Sequence, residues 1–133
     1  MNKDIARCVI ALGVVVSLAA CTPKHDGDNK LVILHTNDTH SQIVPDRNDL
    51  GGVLRRKAVI DSIRKAEDNV LLVDAGDAVQ GTLYFYLYGG RVEQAVLNNL
   101  GVDVRILGNH EFDNGIDSLA SVLAISDATK LST

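Results

Sequence analysis

Val102-Asp103-Val104-Arg105-Ile106-Leu107-Gly108-Asn109-His110-Glu111-Phe112-Asp113 is the stretch from which the fold is read. Its first half is short and mostly apolar, which predicts a buried strand over about Asp103 to Leu107. Its second half is polar and leads into a glycine-containing segment and then a helical pattern. Asn109, His110 and Asp113 are therefore expected on a loop at the carboxyl end of a strand. In open α/β sheets that edge is where ligands bind. An amide oxygen, an imidazole nitrogen and a carboxylate so close in sequence make a donor set for a cation. Taken alone, a solvated turn has the same composition.

Working outward, the same arrangement occurs twice upstream. Leu31-Val32-Ile33-Leu34 is a continuous apolar run, suited to a strand buried on both faces, and it enters His35-Thr36-Asn37-Asp38-Thr39-His40. Val70-Leu71-Leu72-Val73 is a second such run, ending at Asp74-Ala75-Gly76-Asp77. Between them, Gly51-Gly52 opens a helix to about Glu67. Leu54, Ala58, Ile60 (or Val59) and Ile63 form its apolar stripe, and Arg55, Arg56, Lys57, Arg64 and Lys65 its wet face. Thr82 to Tyr88 predicts a short helix docked on the core. Arg91 to Leu100 predicts a second, with Val92, Ala95, Val96 and Leu100 inward and Gly101 as its stop. Asn114 is placed to cap a last helix, from Gly115 or Ile116 to about Ile125. Strands alternating with helices predict an α/β fold with mostly parallel strands and covering helices. His35 is expected to be a packed strand residue, and Asp74 to support the site or cap its loop. Glu111 is given no role.

With 133 residues the chain has room for one small domain, and 46% hydrophobic and 23% charged residues are ordinary for a globular protein. A net charge of -4 without a basic run leaves no nucleic-acid-binding signature. The N-terminus has a different character. Lys3 and Arg7 precede the apolar run Val9 to Val16, which closes on Leu18-Ala19-Ala20-Cys21. This is the layout of a secretory signal, too short to span a bilayer. The box ending at Cys21 resembles that of bacterial lipoproteins, which implies cleavage after residue 20 and lipidation of Cys21. Residues 1-20 are thus expected to be a lipoprotein signal peptide and 21-29 a flexible tether carrying His25. An exported lipoprotein anchored to a membrane of the cell envelope follows, at its periplasmic or outer surface. With Cys8 removed and Cys21 lipidated, neither cysteine remains for a disulfide, a metal or a nucleophile.

Three strand ends therefore carry ligand-type loops: Asp38-x-His40, Gly76-Asp77 and Gly108-Asn109-His110-Glu111. In a parallel sheet they converge on one edge. Carboxylate, imidazole and amide donors without thiolate suit Mn, Fe, Zn or Mg. A carboxylate on the middle loop can bridge two ions that clamp a phosphate. Gly76 and Gly108 let backbone approach closely.

These blocks resemble the successive signatures of the calcineurin-like metallophosphoesterases. Thr36 to His40, Gly76 to Gly81 and Gly108 to Asp113 are similar to the bacterial secreted 5′-nucleotidase branch. The resemblance implies the N-terminal part of an α/β/β/α sandwich over residues 30-133. It also implies hydrolysis of nucleotides or other phosphomonoesters by hydroxide activated by two divalent metal ions. By the same resemblance Asp38 and His40 are ligands of the first metal, Asp77 is the bridging carboxylate and Asn109 a ligand of the second metal. His110 contacts the phosphoryl group, and Asp113 orients it. Substrate-binding residues are not identified. Family members complete the site with later histidines, whereas this chain has four His and none beyond His110. The expectation is a truncated domain with an incomplete second metal site and a missing downstream half. Two alternatives stand beside the nucleotidase reading: a cyclic-nucleotide phosphodiesterase of the same family, and an inactive lipoprotein fragment.

Overall fold

The computed structural model describes residues 30–131. The expected signal peptide, Cys21 and the tether with His25 lie outside them. Four strands form one parallel sheet in the order β1-β2-β3-β4. They are β1 (Val32–Thr36), β2 (Val70–Asp74), β3 (Val104–Arg105) and β4 (Thr129–Lys130). The helices are α1 (Val53–Ala66), α2 (Leu83–Tyr88), α3 (Arg91–Leu100) and α4 (Ile116–Leu123), and His110–Phe112 makes a 3₁₀ turn. The tail therefore contributes a fourth strand that three apolar runs did not predict. Its two residues are too few to show a period, and it is held by pairing with β3 (Val104↔Thr129, Arg105↔Lys130) and by Ala128 in the core.

Strands taken in sequence order and joined by right-handed crossovers place their helices on one face of the sheet. The register fixes which side chains share that face: Leu34 pairs with Leu72, Thr36 with Asp74 and Asp74 with Arg105. The main core lies there, from Ile60 of α1, Leu72, Ala78, Leu97 and Leu100 of α3, Val102 and Ala128. The opposite face is open among the described residues. Leu31 and Ile33 are 57% and 59% exposed, and Ile106 and Leu131 are also exposed. This corrects the expectation that β1 is buried on both faces. His35 belongs to the open side and is exposed rather than packed.

Both long helices bury part of the predicted apolar stripe, Ile60 in α1 and Val96 and Leu100 in α3, together with residues beside it. In α1 the buried residue is Ile60, flanked by half-buried Val53, Arg56, Ile63 and Arg64, while Leu54, Ala58 and Val59 are exposed. Arg64 donates to the carbonyls of Leu100 (2.7 Å) and Gly101 (2.5 Å), so it caps α3 instead of facing water. Burial pulls the Arg56 guanidinium down from its ordinary range, with the charge of Asp74 acting in the other direction. In α3 the buried residues are Glu93, Gln94, Leu97 and Leu100, and Ala95 is exposed. The stripe is offset because α3 faces a polar interior at its amino end. α2 is the short helix expected, anchored by buried Phe85. α4 stops at Leu123, and its N-cap is Gly115, so Asn114 does not cap it.

Candidate metal centre

The turn after β1 continues the parallel pairing beyond the regular strands. The amides of Asp38, His40 and Ser41 donate to the carbonyls of Gly76, Asp77 and Ala78 at 3.1, 3.0 and 2.9 Å. The first two ligand-type loops thus run side by side. To do so Asp38, His40 and Asp77 take positive φ angles of 50°, 43° and 51°. That left-handed region is uncommon outside glycine but more accessible to Asp and His than to most residues. Strain of this kind concentrates at functional sites.

The third loop presses on the second. A Cβ on Gly108 would come within 2.6 Å of the Asp77 amide nitrogen and closer still to its carboxylate. A Cβ on Gly76 would lie 2.9 Å from the Gly108 Cα. Both positions require glycine because two backbones meet there. The Asp77 carboxylate accepts the His110 amide at 2.9 Å, which ties the loops together. At the end of β2 the Asp74 carboxylate accepts the Thr36 hydroxyl (2.6 Å) and the Gly76 amide (3.2 Å). Burial raises the Asp74 carboxyl above the usual carboxylate range, against the opposing effects of the Thr36 hydroxyl and Arg105. Asp74 thus supports the turn from below.

Sequence reasoning missed the group that organises this region. The Glu111 side chain is 3% exposed. One carboxylate oxygen accepts the amides of Asp77 (3.0 Å) and Gly108 (2.6 Å), and the other accepts that of Ala78 (2.9 Å). Arg105, equally buried, donates to Glu111 at 3.2 Å and to the Gln94 side-chain oxygen at 2.8 Å. The signal for this network was present in the sequence: Arg105 is a charge inside an otherwise apolar strand, and such a residue is almost never buried without a partner.

Of the six predicted site residues, the structure brings three donor side chains together. Ligand atoms of His40, Asp77 and His110 all lie within 4.8 Å of one another. The two imidazoles meet edge to face, with ring centroids 5.1 Å apart. Asp38 is adjoining, with a carboxylate oxygen 3.6 Å from His40 Nε2; its other oxygen accepts the Asn37 amide. Asn109 is exposed and starts the 3₁₀ turn that carries His110. Asp113 follows that turn, and its carboxylate lies 2.9 Å from His110 Nδ1. This hydrogen bond raises the His110 imidazole above its ordinary range, opposed by desolvation and assisted by the charges of Asp113, Asp77 and Glu111. The His40 imidazole and the Asp77 carboxylate, with the Asp38 carboxylate adjoining, are donors that fit a divalent cation of the first transition row or Mg²⁺, and the His110 imidazole stands beside them.

Known proteins resemble this chain over most of its length. The model of the calcineurin-like phosphoesterase family matches residues 31–130. Human 5′-nucleotidase is 42% identical over 128 residues, covering 89% of this chain and 21% of that protein. The bovine 5′-nucleotidase is 44% identical, covering 92% of this chain and 23% of that protein. Among solved structures, Haemophilus influenzae NAD nucleotidase superposes with a TM-score of 0.72 at 39% identity, covering 77% of this chain and 20% of that one. A 5′-nucleotidase precursor from Thermus thermophilus gives 0.72 at 38% identity, covering 77% and 22%. The chain spans about a fifth of the length of the relatives it matches.

Proposed function

This chain belongs to the calcineurin-like phosphoesterases, and on that premise we propose that it acts in the metal-dependent hydrolysis of phosphomonoesters, with nucleotides as the substrate class. One observation carries the reading: His40, Asp77 and His110 come from three consecutive strand ends, yet their ligand atoms lie within 4.8 Å of one another. The residues proposed to hold divalent metal are Asp38 and His40 for one ion, Asn109 for a second, and Asp77 between them. Bound metal would neutralise phosphate charge and lower the pKa of a coordinated water.

The chain's own residues do the rest. The Glu111 clamp fixes the Asp77 and Gly108 backbone before any ligand arrives, so little reorganisation is needed at the site. His110 is proposed as the residue that meets the phosphoryl group. Its Nδ1 is engaged by Asp113, which leaves Nε2 free to face substrate and keeps the ring in one orientation. An imidazolium so held offsets negative charge on the phosphoryl oxygens and can supply a proton to a departing alkoxide. The nucleotide preference rests on the 5′-nucleotidase relatives and on the NAD nucleotidase.

The test is phosphate release from nucleoside 5′-monophosphates with Mn²⁺ or Zn²⁺ present, alongside calorimetric titration of the same ions. Metal binding and phosphate release that both disappear in Asp77→Asn support the reading. A folded Asp77→Asn or His110→Ala chain with wild-type turnover overturns it. Export and anchoring through a lipid on Cys21 are proposed with it, supported by the residue pattern before Cys21. Among the described residues no helix is long and apolar enough to cross a membrane. Fatty-acid labelling that is lost in Cys21→Ser tests the anchor.

A further inference from the structure

Behind the candidate metal centre, α3 carries a carboxyl group that nothing above uses. Glu93 is 2% exposed, and neither of its carboxyl oxygens has a protein hydrogen-bond partner. Burying such a group without a hydrogen-bond partner is costly. The side chain stands between two small cavities. One, of about 20 Å³, is also lined by Arg105, Gln94 and Glu111. The other, of about 10 Å³, is also lined by Thr39, Ser41 and Arg56. A void of about 10–15 Å³ by this measure holds one water molecule.

Each cavity has a second buried atom without a partner. The Arg105 Nε belongs to a residue lining the first and the Ser41 hydroxyl to a residue lining the second. Four of the buried unpartnered side-chain atoms thus belong to residues that line two water-sized spaces, and Glu93 lines both. Arg105 is the residue that supports Glu111, and through it the amides of Asp77 and Gly108. Ser41 directly follows His40 and is itself left-handed, with φ 52°. It is 2% exposed.

We propose that Glu93 is a positioning residue for the metal centre. It accepts hydrogen bonds from two buried waters, one shared with the Arg105 guanidinium and one with the Ser41 hydroxyl, and so couples the loop carrying His40 to the clamp that holds Asp77. The half-buried Arg56 guanidinium lines the Ser41 side and supplies positive charge there. The network spans α1, α3, β3 and the first two ligand loops. A shift at any point changes the distance between His40 and Asp77 without altering either ligand.

This inference rests on the site being a metal centre, and its test separates the two. Mn²⁺ titration of the wild-type chain examines the site: no binding there removes the metal centre itself. A high-resolution crystal structure of the chain examines the network: one ordered water on each side of Glu93, bonded to Arg105 Nε and Ser41 Oγ, is expected, and two dry cavities overturn it. Glu93→Leu, which keeps the volume and removes the acceptors, is expected to weaken Mn²⁺ binding by about 10-fold or more, as loss of ligand-supporting partners does. It also shifts the amide resonances of both His40 and Asp77. Glu93→Gln, which can still bond both waters, is expected to stay close to wild type. Ser41→Ala is expected to move His40 and leave Asp77 in place. A purely structural role would lower the unfolding temperature of Glu93→Leu and leave the Mn²⁺ affinity of the folded chain unchanged, which would overturn the proposal. If Glu93→Leu does not fold, the wild-type waters and the Ser41→Ala shifts decide.

Discussion

The two halves of the candidate site are held in opposite ways. Asp77 and Gly108 sit on a buried anchor, with three backbone amides converging on one Glu111 carboxylate that is itself paired with Arg105. Asp38 has a half-exposed side chain, and its loop is fastened by main-chain bonds to the neighbouring turn. One half is built into the core and the other is laid against it. In the proposed site the Asp77 carboxylate is the fixed donor, and the Asp38 side is the one free to adjust around an incoming ion.

That contrast can be broken most severely at Glu111. Glu111→Ala leaves Arg105 as an unpaired buried charge and frees three amides, and the expected loss of stability is about 3–5 kcal/mol by denaturant unfolding. If Glu111→Ala unfolds at the wild-type denaturant concentration, the clamp is not what holds this half. Gly108→Ala comes next. The added methyl meets the Asp77 carboxylate and amide, so a loss of about 1–3 kcal/mol is expected from overpacking, with weaker Mn²⁺ binding in the same sample. Asp38→Asn should be the mildest for folding, within about 0.5 kcal/mol, while still reducing metal affinity; a large loss of stability there would erase the difference between the halves.

A finer test concerns protons. Because Asp113 raises the His110 imidazole, the metal-free chain should show His110 titrating above the ordinary histidine range by NMR, and Asp113→Asn should bring it down. The sign for folding follows. Protonated His110 is favoured in the folded state, so its contribution is fully present below the ordinary histidine value. It is lost as pH rises through the raised one. A His110 that titrates alike in both chains would remove Asp113 from its orienting role.

The residues that were legible in the sequence and those that were not divide on physical grounds. Strand runs and the donors after them, Asp38, His40, Asp77 and His110, are legible because an apolar run ending in such a loop occurs three times, which turn chemistry alone does not explain. Parallel order followed from alternation of strands and helices. What stayed hidden depends on partners distant in sequence. Arg56, Arg64, Glu93 and Gln94 look like wet helix faces until α1 and α3 are docked; Arg56, Glu93 and Gln94 then line polar structure behind the loops, and Arg64 the carboxyl end of α3. β1 reads as buried on both faces because Leu31 to Leu34 are all apolar, whereas crossover handedness leaves one side open. Glu111 offered the motif without its meaning: a carboxylate that collects amides from another loop has no local signature.

The left-handed backbone at Asp38, His40 and Asp77 bears on how such a site persists over generations. A non-glycine residue held there costs on the order of 1–3 kcal/mol, and glycine would relieve it. Mutation toward glycine at Asp38 or His40 therefore relieves the backbone while deleting a donor, and at Asp77 it also removes the acceptor of the His110 amide. Folding pushes the sequence in one direction and chemistry in the other. A lineage under selection for a bound ligand is expected to keep these three side chains against that gradient, and one released from it to drift to glycine at Asp38 and His40 before it lost the surrounding core.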